Sequence, residues 1–479
     1  MEKKTRVLSK AMLVCFALLF GLALLLGACR PAHLSYPAAF AAAVAVAALY
    51  AVWQKRPRTR VSLWERMGEK KTGAVLLGLC FLVNLVWALS FRVEPEAYYA
   101  TFWNTAVALA TGEEPLNREY LALFPHVLGY STFLSLVIRA AGTGRLVAPL
   151  VNVCLSTLSG YFLFRLALRW RGLNSAAFVL LFWTVLPSRL LFNTVALSEP
   201  WYTCLLLAAL WLCACVERGR PVWWRAALLG AFAGLLLRLV NAARPIAAVP
   251  LITLLLWVLL LRGDRTGETR RLWLSFTALL LAVYILTGPL WTRYERDVLG
   301  EEPASIPGYS LCVGLNQESL GSYSVLDMNL LEYYRFGVQD GSADSAQRDM
   351  LELAKIRLRD PEMKIFHLLI FKLRTLLGND EGGVGYFISG LTTGAYRLLA
   401  VLSNIAYYVL GILALWGSWR MFRGGERRAV LLAPLFVLGL TLAQMLVEVS
   451  ASFHYSMIPM LLLLVSFSYN KPTRPRPEG

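Results

Sequence analysis

The chain has 479 residues, of which 57% are hydrophobic and 16% are charged, with a mean hydropathy of +0.56. This composition excludes a soluble protein of this size and predicts a polytopic membrane protein that is all α-helical. The formal net charge is +17, but Lys and Arg cluster in short loops between apolar runs. The charge therefore indicates membrane topology and gives no reason to expect a nucleic-acid partner.

The N-terminal part holds two apolar runs, at about 11–28 and 37–53. The sequence from Leu26 to Cys29 resembles a lipoprotein cleavage site, which would make the first run a removable signal. A first transmembrane helix explains the same residues, and apolar runs continue through the whole chain. A strongly basic loop follows the second run and is expected to be cytoplasmic. The next run, 73–91, then carries the chain outward.

The first outside loop, 92–121, begins with two carboxylates, Glu94 and Glu96. An amphipathic segment follows, with apolar and aromatic side chains at helical spacing up to a stop signal at Gly112. A carboxylate pair beside an aromatic helix that can lie in the membrane interface suits an enzyme acting on lipid-linked substrates.

The middle of the chain poses a problem of parity. Three apolar runs, 122–140, 145–166 and 174–192, lie between Glu96 and Glu199, which the loop charges place on the same outer face. Three full crossings cannot join two points on one face, so one of these runs must be interfacial, re-entrant or wrongly delimited. The pattern is regular again over the runs 201–216, 226–241, 245–261 and 272–290.

Residues 291–394 form a predicted outside region of about a hundred residues, which is too long for a plain connector. It contains a predicted soluble helix at 343–358 and a predicted interfacial helix at 364–377. Three last runs, 396–418, 429–447 and 455–469, precede a basic tail. The prediction is twelve to thirteen membrane helices, divided as two N-terminal helices (1–72), a core (73–290), the outside region (291–394) and C-terminal helices (395–479).

Ionisable residues near the outer ends of the runs are few. A charge in or beside hydrocarbon costs about 2.5–3.5 kcal/mol on insertion scales, so such residues usually face protein or a water-filled cavity. Any one of them could simply cap a helix, but as a set they bring together groups that a sugar transfer needs. A carboxylate, Glu96 or Glu94, could be the base, and Arg189 and Arg244 could bind the departing phosphate. Arg238, inside an apolar helix, could be a further such cation or could pair two helices.

Several short motifs share the order found in one family. They are Glu96–Gly112 followed by Phe124–Tyr130, then Ser198-Glu199-Pro200, Ala243-Arg244-Pro245, Gly314–Gly321, and Glu448 through His454-Tyr455. With their membrane placement, they resemble the bacterial multi-spanning glycosyltransferases of the GT-C fold, the family 39 group that includes protein mannosyltransferase-like and aminoarabinose transferase-like enzymes. The resemblance covers roughly residues 73–470.

The resemblance implies an inverting enzyme of the bacterial cytoplasmic membrane, with an extracytoplasmic site. It would pass a hexosyl or pentosyl group from a polyprenyl-phosphate donor to a cell-envelope acceptor. The family usually has Asp about eight residues before the alanine matched to Ala106, a position that is Tyr98 here, so Glu96 would serve as base with a shifted helix start. The implied catalytic residues are Glu96, Glu94 and Glu199, and the implied substrate contacts are Tyr98, His126, Arg189, Arg244, Asn316, Gln317, Glu318, Glu448, His454 and Tyr455.

No DxD motif is present, so the sequence gives no support for a metal or other cofactor. Two other classes of protein stay open. A transporter or flippase of lipid-linked or small solutes would carry internal repeats and charges near mid-membrane. A non-catalytic scaffold of the same fold would explain Tyr98 in place of the usual acid. The sugar, the acceptor, the lipid length and the oligomeric state are not determined by the sequence.

Overall fold

The computed structural model describes residues 2–30, 35–55, 62–91, 93, 97–219, 222–262, 266–337, 341–385, 391–426 and 428–469. Within these ranges the chain is helical and contains no strand. The first half consists of α1 Glu2–Ala28, α2 Ser35–Lys55, α3 Leu63–Ser90, α4 Ala97–Thr111, α5 Arg118–Leu123, α6 His126–Ala141, α7 Val147–Arg171, α8 Leu173–Val185, α9 Pro187–Phe192, α10 Glu199–Gly219 and α11 Trp223–Ala243.

The second half begins with α12 Ala248–Leu256, which a π-helical turn continues to Leu261. It goes on with α13 Gly267–Leu299, α14 Gly308–Gly314, α15 Val325–Glu332 with a π-helical turn Tyr333–Gly337, α16 Ala343–Arg359, α17 Ile365–Leu377, α18 Gly382–Gly385, α19 Thr393–Gly424, α20 Leu432–Leu446 and α21 Met457–Ser468. Short 3-10 turns, Ala429–Leu431 and Ala451–His454, precede the last two helices.

Nine helices in the described ranges are long and apolar enough to cross a bilayer, and three shorter apolar helices accompany them: α8, α12 with its π-helical turn, and α21. A hydrocarbon core of about 30 Å needs about 20 helical residues. The prediction of an all-α, multi-pass membrane protein is confirmed. The nine long helices of the described ranges are fewer than the twelve to thirteen crossings that the sequence predicted, and whether the three shorter helices also cross stays a prediction.

Helix length and composition indicate that α6 is the run that does not cross the membrane. This helix of 16 residues is not among the apolar candidates, whereas α7 is one unbroken span and α8 is a shorter apolar helix. With α6 uncrossed, the ends of α3, α10 and α11 that carry Asn84, Glu199 and Arg244 lie together. Hydrogen bonds agree with this arrangement, because Asn152 at the start of α7 donates to the carbonyl of Val195 at 2.7 Å.

We call this end of the helix bundle the site end, and the opposite end, with Lys55, Arg171 and Arg428, the basic end. At the basic end, Arg171 donates to the carbonyl of Tyr469 at 2.8 Å. The positive-inside rule predicts that the basic end is cytoplasmic.

Close contact between α11 and α13 sets the position of α11. Gly230 and Gly234 stand four residues apart, and a Cβ atom at either one would lie 2.1 or 2.4 Å from a carbonyl oxygen of α13. Such small residues let two membrane helices approach at backbone distance. One turn further along, Arg238 donates to the carbonyl of Tyr284 at 2.7 Å and stacks on its ring at 4.2 Å. Arg238 therefore pairs α11 with α13, one of its two predicted roles.

The region between α13 and α19 packs on the site end as short helices. The helices predicted at 343–358 and 364–377 coincide with α16 and α17. Arg357 of α16 forms a bidentate ion pair with Asp327 of α15, with distances of 2.6 and 3.0 Å. This pair and the amide of Asn316, which donates to Asp327 at 2.9 Å, hold the region together.

Candidate functional site

The centre of the site end is an ion pair between Arg244 and Glu199. The Arg244 Nη2 atom lies 2.6 Å from Glu199 Oε1, and the two side chains are only 16% and 1% exposed. Glu199 is the first residue of α10, where a carboxylate is stabilised by the helix dipole. Arg244 follows the last residue of α11 in an extended conformation, as expected of a residue that precedes proline. Both positions therefore follow from local sequence.

Aromatic side chains surround this pair. The Arg244 guanidinium lies 5.0 Å from the ring centroid of Phe453, and it interacts electrostatically with Tyr98 and Tyr202. Burial opposes the charge on Arg244, but Tyr98, Glu199 and Tyr202 outweigh that cost and keep its pKa above the usual range. Glu199 Oε2 is buried and has no hydrogen-bond partner in the described part of the chain. Arg244 is thus a permanent cation with one well-defined counter-ion.

The first loop contributes Tyr98 and His126. The Tyr98 hydroxyl lies 3.4 Å from His126 Nε2. Removal from water raises the pKa of Tyr98 to about 12. Removal from water and the nearby charge of Arg244 together lower the pKa of His126 to about 3. Both groups are therefore neutral at physiological pH. Glu94 and Glu96, the predicted bases, lie outside the described residues, and their roles stay predictions.

Glu448 stands on the segment between α20 and the turn Ala451–His454. Its side chain is partly exposed, and its charge interacts with Arg244 and Lys372. Its backbone is held on both sides, because Glu448 N donates to Ser310 O at 2.7 Å and Val449 N donates to Gly321 O at 2.9 Å. Glu448 therefore lies within electrostatic reach of Arg244, and its predicted contact with a substrate stays a prediction.

Lys372 of α17 is a residue of this site that the sequence did not point to. Its side chain is fully buried, and its ammonium donates to the carbonyls of Gly314, Met445 and Val447 at 2.7–2.8 Å. Burial lowers the pKa of Lys372 to about 8, while Glu448 acts in the opposite direction. The only sequence signal was a single lysine within the apolar stretch IFHLLIFKLRTLL, which reads equally well as a surface helix.

Arg189 is placed apart from the ion pair. It is fully buried on α9, donates to Asn84 Oδ1 at 2.8 Å and stacks on Trp183 at 4.5 Å. Asn193 donates to the same Asn84 oxygen. Arg189 thus contacts protein side chains in this structure, and its role in phosphate binding stays a prediction.

His454 and Tyr455 belong to a neighbouring buried network. His454 Nε2 lies 3.1 Å from Asp380 Oδ1, which also accepts from the Ser188 hydroxyl at 2.7 Å. The other ring nitrogen of His454 lies 2.8 Å from the carbonyl of Leu376. Tyr455 packs against Phe192, with ring centroids 4.7 Å apart. Their substrate contacts remain predictions.

Asn316 and Gln317 order the loop after α14. The side-chain oxygen of Asn316 accepts from the backbone N–H groups of Glu318 and Ser319, and Gln317 Oε1 accepts from Lys364 N at 2.8 Å. Both residues therefore act on the backbone here. Direct contact of Asn316, Gln317 or Glu318 with a substrate is a prediction that no contact in the structure tests.

An apolar groove lies among the membrane helices below the ion pair. Helices α10, α11, α12, α13, α20 and α21 all contribute to its walls, and Thr253 is one of its few polar side chains. Leu206 to Cys213 of α10 line it, at seven to fourteen residues from Glu199, which is roughly 10–21 Å along a helix axis. The walls are formed by Leu206, Ala209, Leu210, Cys213, Ala233, Leu237, Pro250, Thr253, Leu254, Leu280, Leu432, Phe436 and Met460.

Comparison with known proteins gives a distant likeness among solved structures. No protein-family model matches the chain, and no curated protein matches it. Among solved structures, the chain is similar to ArnT from Cupriavidus metallidurans, crystallised with undecaprenyl phosphate, at 14% identity over 83% of this chain and 77% of that one. The TM-score is 0.33, and so loose a superposition carries no argument about activity or ligand.

Proposed function

We propose that this protein is a membrane glycosyltransferase that takes a sugar from a polyprenyl-phosphate donor and passes it to a cell-envelope acceptor at the site end. The observation that carries the proposal is the position of Arg244 above the apolar groove. A lipid phosphate needs a cation at the depth of the membrane surface, and its tail needs an apolar path below that cation. Arg244 and the groove supply both on two neighbouring helices.

Arg244 suits the phosphate because its guanidinium can donate two parallel hydrogen bonds to phosphate oxygens. Glu199 occupies only one edge of Arg244, at Nη2, and the side chain keeps 16% of its surface exposed. The groove suits the tail because its lining is apolar over at least two helical turns of α10. Burial of a CH₂ group is worth about 0.8 kcal/mol, so several isoprene units would contribute most of the affinity.

The test measures sugar transfer from radiolabelled polyprenyl-phosphate sugars in membranes that contain the wild type, Arg244→Lys or Arg244→Ala. Loss of a charged hydrogen bond costs about 1.5–3 kcal/mol, so the KM for the donor should rise roughly 10- to 100-fold. Arg118→Ala is the matched control, because Arg118 forms an exposed ion pair with Glu114. Arg244→Lys keeps a positive charge beside Glu199, so the protein should still fold, but it removes the guanidinium that can bind phosphate with two hydrogen bonds.

A second arm tests the groove. Ala209→Phe should weaken transfer from long-chain donors more than from short-chain donors, because only a long tail reaches that level. Leu228→Phe is its control, since Leu228 is 59% exposed on α11. A wild type that consumes no donor contradicts the proposal, and movement of intact donor across the membrane would identify a flippase. Equal losses with long and short donors would show that the groove does not hold the tail.

A further inference from the structure

The described part of the site contains two cations, Arg244 and Lys372, and two carboxylates, Glu199 and Glu448, and of these carboxylates only Glu448 has no ion-pair partner. Glu199 is committed to Arg244 at 2.6 Å, and its side chain is 1% exposed. A general base must reach the proton that it removes. Glu199 therefore serves as the counter-ion that keeps Arg244 buried.

Glu448, unlike Glu199, has no ion-pair partner among the described residues. In the described part of the chain its carboxylate makes no hydrogen bond or ion pair, although Arg244 and Lys372 act on it electrostatically. The titratable and charged groups that face it come from five elements: Tyr98 of α4, Tyr120 of α5, Arg244 after α11, Tyr309 of α14 and Lys372 of α17. Glu448 is partly exposed and so can reach a bound acceptor.

The position of Glu448 is built by Lys372. An ammonium has three N–H donors, and here the three carbonyls of Gly314, Met445 and Val447 accept from it. Lys372 thus fixes the backbone beside Glu448 and places a positive charge near it without forming an ion pair with it.

We call Lys372 and the three carbonyls that accept from it the Lys372 clamp. Two glycines make room for these contacts. A Cβ atom at Gly314 would lie 2.5 Å from the carbonyl carbon of Val447, and one at Gly321 would lie 2.7 Å from the Lys372 side chain. Gly321 also has a φ of +75°, which favours glycine. The backbone around Glu448 is therefore held by Ser310, Gly321 and Lys372. A preorganised acid–base group requires such support.

We infer that Glu448, held by the Lys372 clamp, is the general base of the sugar transfer, and that Lys372 is its positioning residue. The inference rests on the proposed function. The acceptor O–H or N–H group attacks the anomeric carbon, and the bond from that carbon to the donor phosphate oxygen breaks. The electron pair of that bond leaves with the polyprenyl phosphate, and the acceptor proton passes to the Glu448 carboxylate.

The electrostatics are consistent with this role. Partial burial raises the pKa of Glu448 to about 7, while Arg244 and Lys372 act in the opposite direction. A base is most effective when its pKa lies near the working pH. The wild-type kcat should therefore rise with pH through about 7, as Glu448 loses its proton.

The experiment compares the wild type with Glu448→Gln and Lys372→Met across pH. Glu448→Gln should lower kcat roughly 10²- to 10⁴-fold, remove the rise near neutral pH and leave the donor KM nearly unchanged. Lys372→Met should lower kcat and move the remaining rise to higher pH, because it removes a positive charge that favours the carboxylate. Glu352→Gln is the control, since Glu352 is exposed on α16 and pairs with Lys355. Thermal unfolding in detergent shows that each variant is folded.

A readout without turnover separates this inference from the proposed function. In the infrared difference spectrum between the purified wild type and Glu448→Gln, a carboxylic acid band should be present at low pH and disappear near pH 7. If that band is missing, or if Glu448→Gln keeps kcat and the rise near pH 7, the inference is wrong. It is equally wrong if Glu96→Gln alone removes the rise. If the band titrates near pH 7 but the protein consumes no donor, the proposed function is wrong, and so is the catalytic role of Glu448.

Discussion

At the scale of single residues, His126 shows how placement decides protonation. It begins α6, where the positive end of the helix dipole disfavours an imidazolium, and Arg244 adds a second positive potential. Its neighbour within hydrogen-bond reach is the neutral Tyr98 hydroxyl. His126 is therefore suited to hydrogen bonding with a substrate and unsuited to carrying charge.

The predicted consequence is a loss of stability in mild acid. The folded-state pKa of His126 is about 3 and its ordinary value is 6.5, so between these pH values the unfolded chain binds a proton that the folded chain does not. The contribution of His126 to the free energy of unfolding therefore falls as pH falls below 6.5, by at most about 2 kcal/mol at pH 5. Partial exposure of His126 reduces this value.

Thermal unfolding in detergent at pH 5 and pH 7 tests this prediction in the wild type and His126→Gln. The variant should lose less stability on acidification. Glu448 acts in the opposite direction, since its raised pKa lets the folded protein hold a proton between about pH 4.5 and 7. The difference between the two proteins isolates His126, and identical acid sensitivity would contradict the prediction.

At the scale of elements, the position of Arg244 depends on how closely α6 approaches α11. Gly129 of α6 faces the last residues of α11, and a Cβ atom there would lie 2.2 Å from the carbonyl oxygen of Ala242. Arg244 follows two residues later. The absence of a side chain at Gly129 therefore lets α6, with His126 at its start, approach Arg244.

Gly129→Ala should force α6 and α11 apart. Overpacking of this kind costs about 1–3 kcal/mol or more, so the variant should unfold at a lower temperature and bind the donor more weakly. Gly78→Ala is the matched control, because nothing lies within 4 Å of a Cβ atom there and alanine is the better helix former by about 1 kcal/mol. Equal stability of the two variants would show that the α6–α11 contact is not tight.

At the scale of the whole molecule, the packing of the described helices predicts that the two ends of α6 lie on the same face of the membrane. Leu116 before α5 is 97% exposed, and Thr143 after α6 is also exposed. Val222, between α10 and α11, is 53% exposed and belongs to the basic end. This arrangement of the three positions follows from the conclusion that α6 does not cross.

Single cysteines at positions 116, 143 and 222 test the topology, in a background where the exposed Cys15, Cys29 and Cys154 are replaced by serine. A membrane-impermeant maleimide applied to intact cells should label positions 116 and 143. Position 222 should react only after permeabilisation, as the positive-inside rule predicts. Labelling of 116 and 143 from opposite sides would mean that α6 spans the membrane.

The sequence by itself determined those features that depend on a residue and its near neighbours in the chain. Apolar length reveals the spans, the distribution of Lys and Arg predicts their orientation, and proline places Glu199 at a helix start and Arg244 in extended backbone. Each of these depends on a residue and its near neighbours.

Only the tertiary structure decided how those residues are paired. Whether α6 crosses, whether Lys372 faces lipid or three backbone carbonyls, and which carboxylate neutralises Arg244 all depend on segments far apart in sequence. The physical reason is that burial and hydrogen bonding of a charge are properties of the packed neighbourhood, which local hydropathy does not encode. The same reason explains why the sequence did not show that Glu448, among the ionisable residues near the outer ends of the apolar runs, is left unpaired beside Arg244 in the described part of the chain.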